Sequence, residues 1–349
     1  MIQSPLIIDA HLDLAYNASR GRDPRMSAKD QPIVENEIAT VGLPDLRAGN
    51  VGLICATIFC NPAGYGPGGY TNAEEARAIA RRQLDWYRGL IDQDHLRFVT
   101  RSTGILPVAS NENGHGQDAR ATQPLSAILL MEGADAMRSP EDAQEWFDAG
   151  LRICGLAWRK TRMAGGTDAP GPLSDDGRAL VREFDRLGII HDASHLDDQA
   201  FWQLLELSNG AMIASHSNCR AIVGSGNRHL SDEMIRALAS RDGVIGINFY
   251  DQFLLPASEY GHRRATLADV IAHITHICDL TGSSRYVGLG TDMDGGLGRE
   301  QIPGEIQTSA DLPRVAEVLS SSGFSDEDIF AVTRDNWLRF FQHSLPKSS

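Results

Sequence analysis

The sequence predicts an α/β protein, a (β/α)8 TIM-like barrel, on three observations. Eight short apolar runs recur along the chain and end in polar residues, as strands of a parallel sheet covered on both faces do. Segments of helical periodicity lie between them, and strands alternating with helices build such a barrel. The polar residues also fall at the C-terminal ends of the runs, where barrels of this kind carry their chemistry. An open doubly wound sheet is the alternative, but no GxGxxG follows the first run.

The first run, Leu6–His11, continues as LIIDAHLD to Asp13. Side chains two apart in a strand share a face, so His11 and Asp13 point together. Such a pair can hold a cation such as zinc, or be a buried hydrogen-bonded pair; two ligands do not make a site. The second strand is Val51–Phe59, followed by the glycine-rich Asn61–Tyr70. That loop has no GK[ST] and reads as a mobile lid or rim rather than a phosphate loop. A helix over Thr71–Asp92 opens with the capping box TNAE and repeats Ala76, Ala80, Leu84, Tyr87 and Ile91. Residues 101–124, rich in Gly, Asn, Gln and Ser, are expected to be a flexible exposed insertion, and His115 within it is given no role.

The third strand, Ser126–Met131, runs into Glu132. Ser139–Ala149 (SPED at its start) reads as a helix with a capping serine and a proline at its first position. The remaining strands are Leu151–Trp158, Gly188–His191 running into Asp192–His195, Ala211–His216, Gly243–Tyr250 and Tyr286–Asp292. Thr266–Leu280 is a helix with Leu267, Val270, Ile271, Ile274, Ile277 and Cys278 on one stripe, stopping at Gly282. His273 and His276 fall off that stripe and read as solvated. A closing helix, Ser325–Phe341, buries Ile329, Val332, Trp337 and Phe340 or Phe341. With no internal repeat or linker, residues 1–349 read as one barrel domain.

Composition is that of an ordinary soluble protein, 42% hydrophobic and 22% charged. A net charge of −14 argues against a nucleic-acid backbone or an anionic membrane as partner. No run approaches the roughly 20 apolar residues of a membrane span. Neither end reads as a signal peptide or a lipid-attachment tail. Five cysteines without a CxxC read as reduced thiols. The expected location is cytoplasmic.

Strand ends alone bring His11, Asp13, Glu132, His195, His216 and Asp292 to one mouth of the barrel. Nitrogen and oxygen donors without thiolates suit zinc and similar divalent cations. Arranged about a shared Glu, they would make a two-metal site with a bridging hydroxide.

In these motifs the sequence resembles the membrane (renal) dipeptidases and their bacterial zinc-dependent relatives, a metallo-dependent hydrolase type of barrel. The motifs are DAHLDL from Asp9, MEG at Met131–Gly133, DASH at Asp192–His195 and SHSN at Ser215–Asn218. RHLSDE at Arg228–Glu233, GLGTDMDGG at Gly288–Gly296 and DNWLRFF near the C terminus complete them. They run in family order over essentially the whole chain.

The resemblance implies two divalent ions, most simply Zn2+, and hydrolysis of small dipeptides by a metal-bridged hydroxide. It makes His11 and Asp13 ligands of one ion, Glu132 the shared carboxylate, and His195 and His216 ligands of the other. Asp292 becomes the proton-transfer carboxylate. Arg228, with Arg220 as its competitor, holds the substrate's terminal carboxylate. One departure stands out: Trp158 occupies the position where the family has a histidine that polarises the scissile carbonyl. Indole N–H donates a hydrogen bond but carries no charge. Arg159, Lys160 and His191 are the nearby residues that could compensate. Trp158 keeps open a hydrolase acting on another amide, lactam or ester, and a non-catalytic metal-binding protein. A homodimer is admitted but not indicated.

Overall fold

A computed structural model of the protein describes residues 5–66, 68–105, 123–224 and 226–347. Its strands are β1 (Ile7–Leu12), β2 (Val51–Phe59), β3 (Leu96–Phe98), β4 (Leu125–Glu132), β5 (Leu151–Gly155), β6 (Ala164–Gly166), β7 (Ala169–Leu173), β8 (Ile190–Asp192), β9 (Met212–Ile213), β10 (Ile245–Ile247) and β11 (Val287–Leu289). Eight of them run parallel in the order β10-β11-β1-β2-β4-β5-β8-β9. A parallel bridge between Ala214 and Ile245 brings the two ends of that order together and closes the barrel. These are the eight runs read from the sequence.

The ladder is uneven. β2 and β4 pair without a break from Leu53–Ser126 to Phe59–Glu132, whereas β1 meets β11 only at Asp9–Leu289. Every residue of β1, β4 and β5 is buried, which explains why these runs lack the polar alternation of a one-sided sheet. Leu53 and Cys55, Ile128 and Leu130, Ile153, Ile190 and Ile213 form one apolar cluster, joined by Trp337 and Phe341 of the C-terminal helix. Ile54, Ala56, Ile58, Ala127, Leu129 and Met131, from the alternate positions of β2 and β4, pack in the second cluster with the surrounding helices.

Several local expectations change. β3 continues along the same edge of β4 that β5 occupies further on. β6 and β7 form an antiparallel hairpin, joined through Thr167 and Asp168, that the sequence reading did not contain. The first long helix is Ala73–Asp92, and its cap is Asn72, whose side chain accepts from Glu75 N. Glu75, rather than Glu74, in turn reaches back and accepts from the N–H and hydroxyl of Thr71, the residue before that cap. The helix expected from Ser139 begins at Asp142. His273 is fully buried rather than solvated, and His276 is half-buried against Asp232 at 2.8 Å. The expected insertion lies mostly outside the described residues, His115 included. The five cysteines are free. Among the described residues no helix is long and apolar enough to cross a membrane.

Candidate metal centre

The C-terminal ends of β1 and β4 and the loops leaving β8, β9 and β11 converge on one buried cluster. His11 ends β1 with Leu12, Asp13 follows directly, and Glu132 is the last residue of β4. His195 and Asp292 lie just beyond β8 and β11 in left-handed backbone, at φ 66° and 57°. Non-glycine residues reach that region at a cost and concentrate at functional sites.

Two donor groups form, and both use Glu132. His11 Nε2 lies 3.7 Å from Asp13 Oδ2 and 3.7 Å from Glu132 Oε2. His195 Nε2 and His216 Nε2 lie 2.9 and 3.3 Å from Glu132 Oε1. The donor atoms of each group lie within 4.8 Å of one another and every residue involved is buried. The five residues that the sequence offers as candidate ligands, His11, Asp13, Glu132, His195 and His216, thus lie together in two groups that could each hold a cation.

The fit to a cation rests on what these atoms lack. His195 Nε2 and His216 Nε2 face each other at 2.9 Å, so at most one of them can carry a proton between them. Buried His11 Nε2 and Asp13 Oδ1 have no hydrogen-bond partner. Such orphaned buried polar atoms are costly, and a divalent cation on each side of Glu132 would satisfy them.

The electrostatics point the same way. Burial, with the Arg228 charge, pushes His195 down to about 4. Burial and the charge of His11 hold His216 well below its ordinary value. Both are therefore neutral, which is the ligating form. Burial also opposes protonation of His11, yet Glu132 and Asp13 hold it well above its ordinary value. A positive charge is wanted at that point.

Asp292 Oδ1 stands 4.0 Å from His11 Nε2, and Asn248 Nδ2 donates to Asp292 Oδ2 at 2.8 Å. Burial, reinforced by Asp13 and Glu132, pushes Asp292 up to about 8. The second acid of TDMD has another task. Asp294 accepts from Thr40 N, Thr40 Oγ1 and Val41 N, with Arg22 at 3.3 Å, and ties the loop down.

A cavity of about 560 Å³ opens over the cluster, lined by Asp13, Glu132, His195 and Asp292 and by Arg228, Trp158, Arg159 and Tyr65. Arg228 donates to His216 O at 2.7 Å and to Ser217 Oγ at 3.2 Å. Its competitor Arg220 is instead paired with Asp198. Trp158 packs edge-on to Phe59 and Tyr65, with its ring centre 6.3 Å from that of His195. The Asn61–Tyr70 loop thus forms part of the rim. Of the three residues that could compensate for Trp158, only Arg159 lines the cavity, and it pairs with Asp168 at 3.1 Å. His191 bonds Asp185 at 2.7 Å, and Lys160 is exposed.

Four further polar residues at the site, Asp192, Ser215, Thr167 and Asn248, are not marked as functional by the sequence. The first two sat inside quoted motifs, as neighbours of His195 and His216. No sequence signal marks Thr167, which reaches His195 Nδ1 at 2.8 Å only because the β6–β7 hairpin carries it there.

A closed parallel barrel with buried imidazoles and carboxylates at its C-terminal mouth has the architecture of the barrel metal-dependent hydrolases. The chain belongs to the membrane dipeptidase family, peptidase family M19, whose sequence profile it matches over residues 1–346. An uncharacterized dipeptidase of Schizosaccharomyces pombe is 30% identical over 224 residues, 62% of this chain and 53% of that protein. Dipeptidase aclJ of Aspergillus oryzae is 27% identical over 241 residues, 67% of this chain and 55% of that protein. The chain therefore spans about half the length of these relatives. Among solved structures, a Rhodobacter sphaeroides metallopeptidase bound to a phosphinate mimic of the dipeptide L-Ala-D-Ala superposes with a TM-score of 0.80 at 23% identity, covering 98% of this chain and 100% of that one. The dipeptidase AC, also of family M19, gives a TM-score of 0.80 at 24% identity, covering 98% of this chain and 99% of that one.

Proposed function

We propose that the protein is a zinc-dependent dipeptidase, cleaving the amide bond of small dipeptides with two divalent ions held by His11, Asp13, Glu132, His195 and His216. The observation that carries this reading is the pair of buried donor groups sharing Glu132 beneath a cavity of dipeptide size. The dipeptide mimic bound by the Rhodobacter relative supports the substrate class.

When bound, a pair of such ions supplies Lewis acidity and makes water nucleophilic near neutral pH. The chain's own groups do the rest. Asp292 faces the cluster, its Oδ1 4.0 Å from His11 Nε2, placed to take a proton from the attacking water and deliver it to the leaving nitrogen. Asn248 holds its second oxygen and so fixes its orientation. Arg228 offers a buried cation to the substrate's terminal carboxylate. Trp158 presents an indole where a charged donor would strengthen the site; loss of such a donor costs about 3 kcal/mol of transition-state stabilisation.

The test is hydrolysis of L,L- and L,D-dipeptides beside N-acylated amino acids by the zinc-loaded chain. Dipeptide turnover, falling roughly 10²- to 10⁴-fold in kcat in Asp292→Asn with metal content retained, supports the reading. Turnover of N-acyl amino acids, lactams or esters alone favours a second reading, an altered hydrolase, for which the observation is Trp158 itself. A chain that binds both ions and hydrolyses nothing refutes the enzyme assignment.

A further inference from the structure

We propose that Asp192 and Ser215 form one clamp that sets the tautomers of two ligand histidines, His11 and His216, and so prepares both halves of the metal centre at once. The inference rests on the cation-binding reading of the site. Ser215 Oγ lies 3.1 Å from His11 Nδ1, 2.7 Å from His216 Nδ1 and 2.5 Å from Asp192 Oδ2.

A hydroxyl has one proton and two lone pairs. The carboxylate can only accept, so the Ser215 proton goes to Asp192. Both lone pairs are then left for the imidazoles, which must each donate from Nδ1. In the neutral, ligating rings the lone pair is thereby confined to Nε2, the atom that faces Asp13 and Glu132 in His11 and Glu132 and His195 in His216. One proton count fixes two rings, and the rings belong to different donor groups.

The arrangement also accounts for a third cluster of candidate ligands, His11, Asp192 and His216. All three bond the Ser215 hydroxyl, so a protein group already occupies their midpoint. The clamp is itself held firmly. Asp192 Oδ1 accepts from the N–H groups of Ser194 at 3.0 Å and Ser215 at 2.9 Å. The N–H of His216 donates to Ser194 Oγ at 3.1 Å. His195 is served separately, by Thr167 Oγ1. That division makes the proposal testable, because the two supports touch different numbers of half-sites.

The experiment is zinc titration of the full-length chain against chelators of graded affinity, which resolves the first and second equivalents. Circular dichroism and thermal unfolding of the metal-free proteins check the fold. Ser215→Ala is expected to weaken both equivalents by roughly 10- to 100-fold, the range for outer partners of ligating histidines. Thr167→Val should weaken one equivalent only. Asp192→Asn is nearly isosteric but turns an acceptor into a donor. The Ser215 oxygen would then meet three donors with two lone pairs, and one histidine must reverse its tautomer; at least one equivalent should fall by a similar factor. If Ser215→Ala does not fold, Asp192→Asn carries the test. A parent that loads two ions while the folded clamp variants load them equally well overturns the clamp alone. Loss of a single equivalent in Ser215→Ala overturns the shared tautomer control. A parent that takes up no divalent ion overturns the metal reading, and the clamp with it.

Discussion

Arg228 is a buried guanidinium whose Nε has no partner and whose bonded groups are a carbonyl and a hydroxyl rather than a carboxylate. A buried cation left this way is costly until an anion arrives. The expected consequence is selectivity for substrates that end in a free carboxylate. Arg228→Lys should raise KM for a dipeptide by about 30-fold, equivalent to about 2 kcal/mol of charge-assisted bonding, while changing KM for the C-terminally amidated analogue far less. Equal effects on both substrates would remove Arg228 from the carboxylate pocket. At this scale the sequence was informative wherever a residue's type is unusual for its place. His11, Glu132, His195 and His216 end apolar strands, where an imidazole or buried carboxylate calls for an explanation. Asp192 and Ser215 do not stand out in this way, because an Asp or Ser at a strand end is ordinarily a cap or turn residue. Their importance depends on which atoms meet in space.

The two strands that follow β9 in the chain, β10 and β11, make room for that meeting through missing side chains. A Cβ at Gly246 in β10 would sit 1.9 Å from the carbonyl oxygen of Ser215, and one at Gly290, just past β11, would sit 1.8 Å from the same atom. Both contacts are with backbone, so an added methyl must displace the segment carrying Ser215 and His216. Gly290→Ala should lower unfolding stability by about 3 kcal/mol in denaturant titration and weaken zinc uptake together. An unchanged midpoint would show that the segment yields freely. Strands were legible because burial on both faces writes itself as an unbroken apolar run. Element ends were less so. Thr71 and Asn72 can each cap a helix, and only the geometry chose Asn72. His273 was misplaced for a related reason: it lies about 40° around its helix from Ile277, at the margin of the apolar stripe. There the Cys219 N–H and the Leu254 carbonyl cover it.

That covered imidazole makes the whole molecule sensitive to acid. His273 accepts from Cys219 N and donates to Leu254 O, a pairing only the neutral ring can make in full. Burial, opposed by the bond to the Leu254 carbonyl and aided by the charge of His276, pushes it down to about 4. The folded chain thus binds fewer protons than the unfolded one between the ordinary histidine value and about 4. Stability from this group is complete above pH ~6.5 and drains away as pH falls toward 4, by up to about 3 kcal/mol. His273→Gln should flatten that part of the stability–pH curve relative to the parent; an unchanged slope would exclude His273 as its source. A last consequence follows from the uneven ladder. Glu132 ends the long β2–β4 pairing, while His216 stands just beyond the narrow join at Ala214 and Ile245. Ions gripped from both sides would act as rivets across a loosely stitched wall. Amide hydrogens at Ala214 and Gly246 should then exchange with deuterium more slowly once zinc is added, while those of Ile54–Phe59 keep their pace; equal rates with and without the metal would mean the wall needs no fastening.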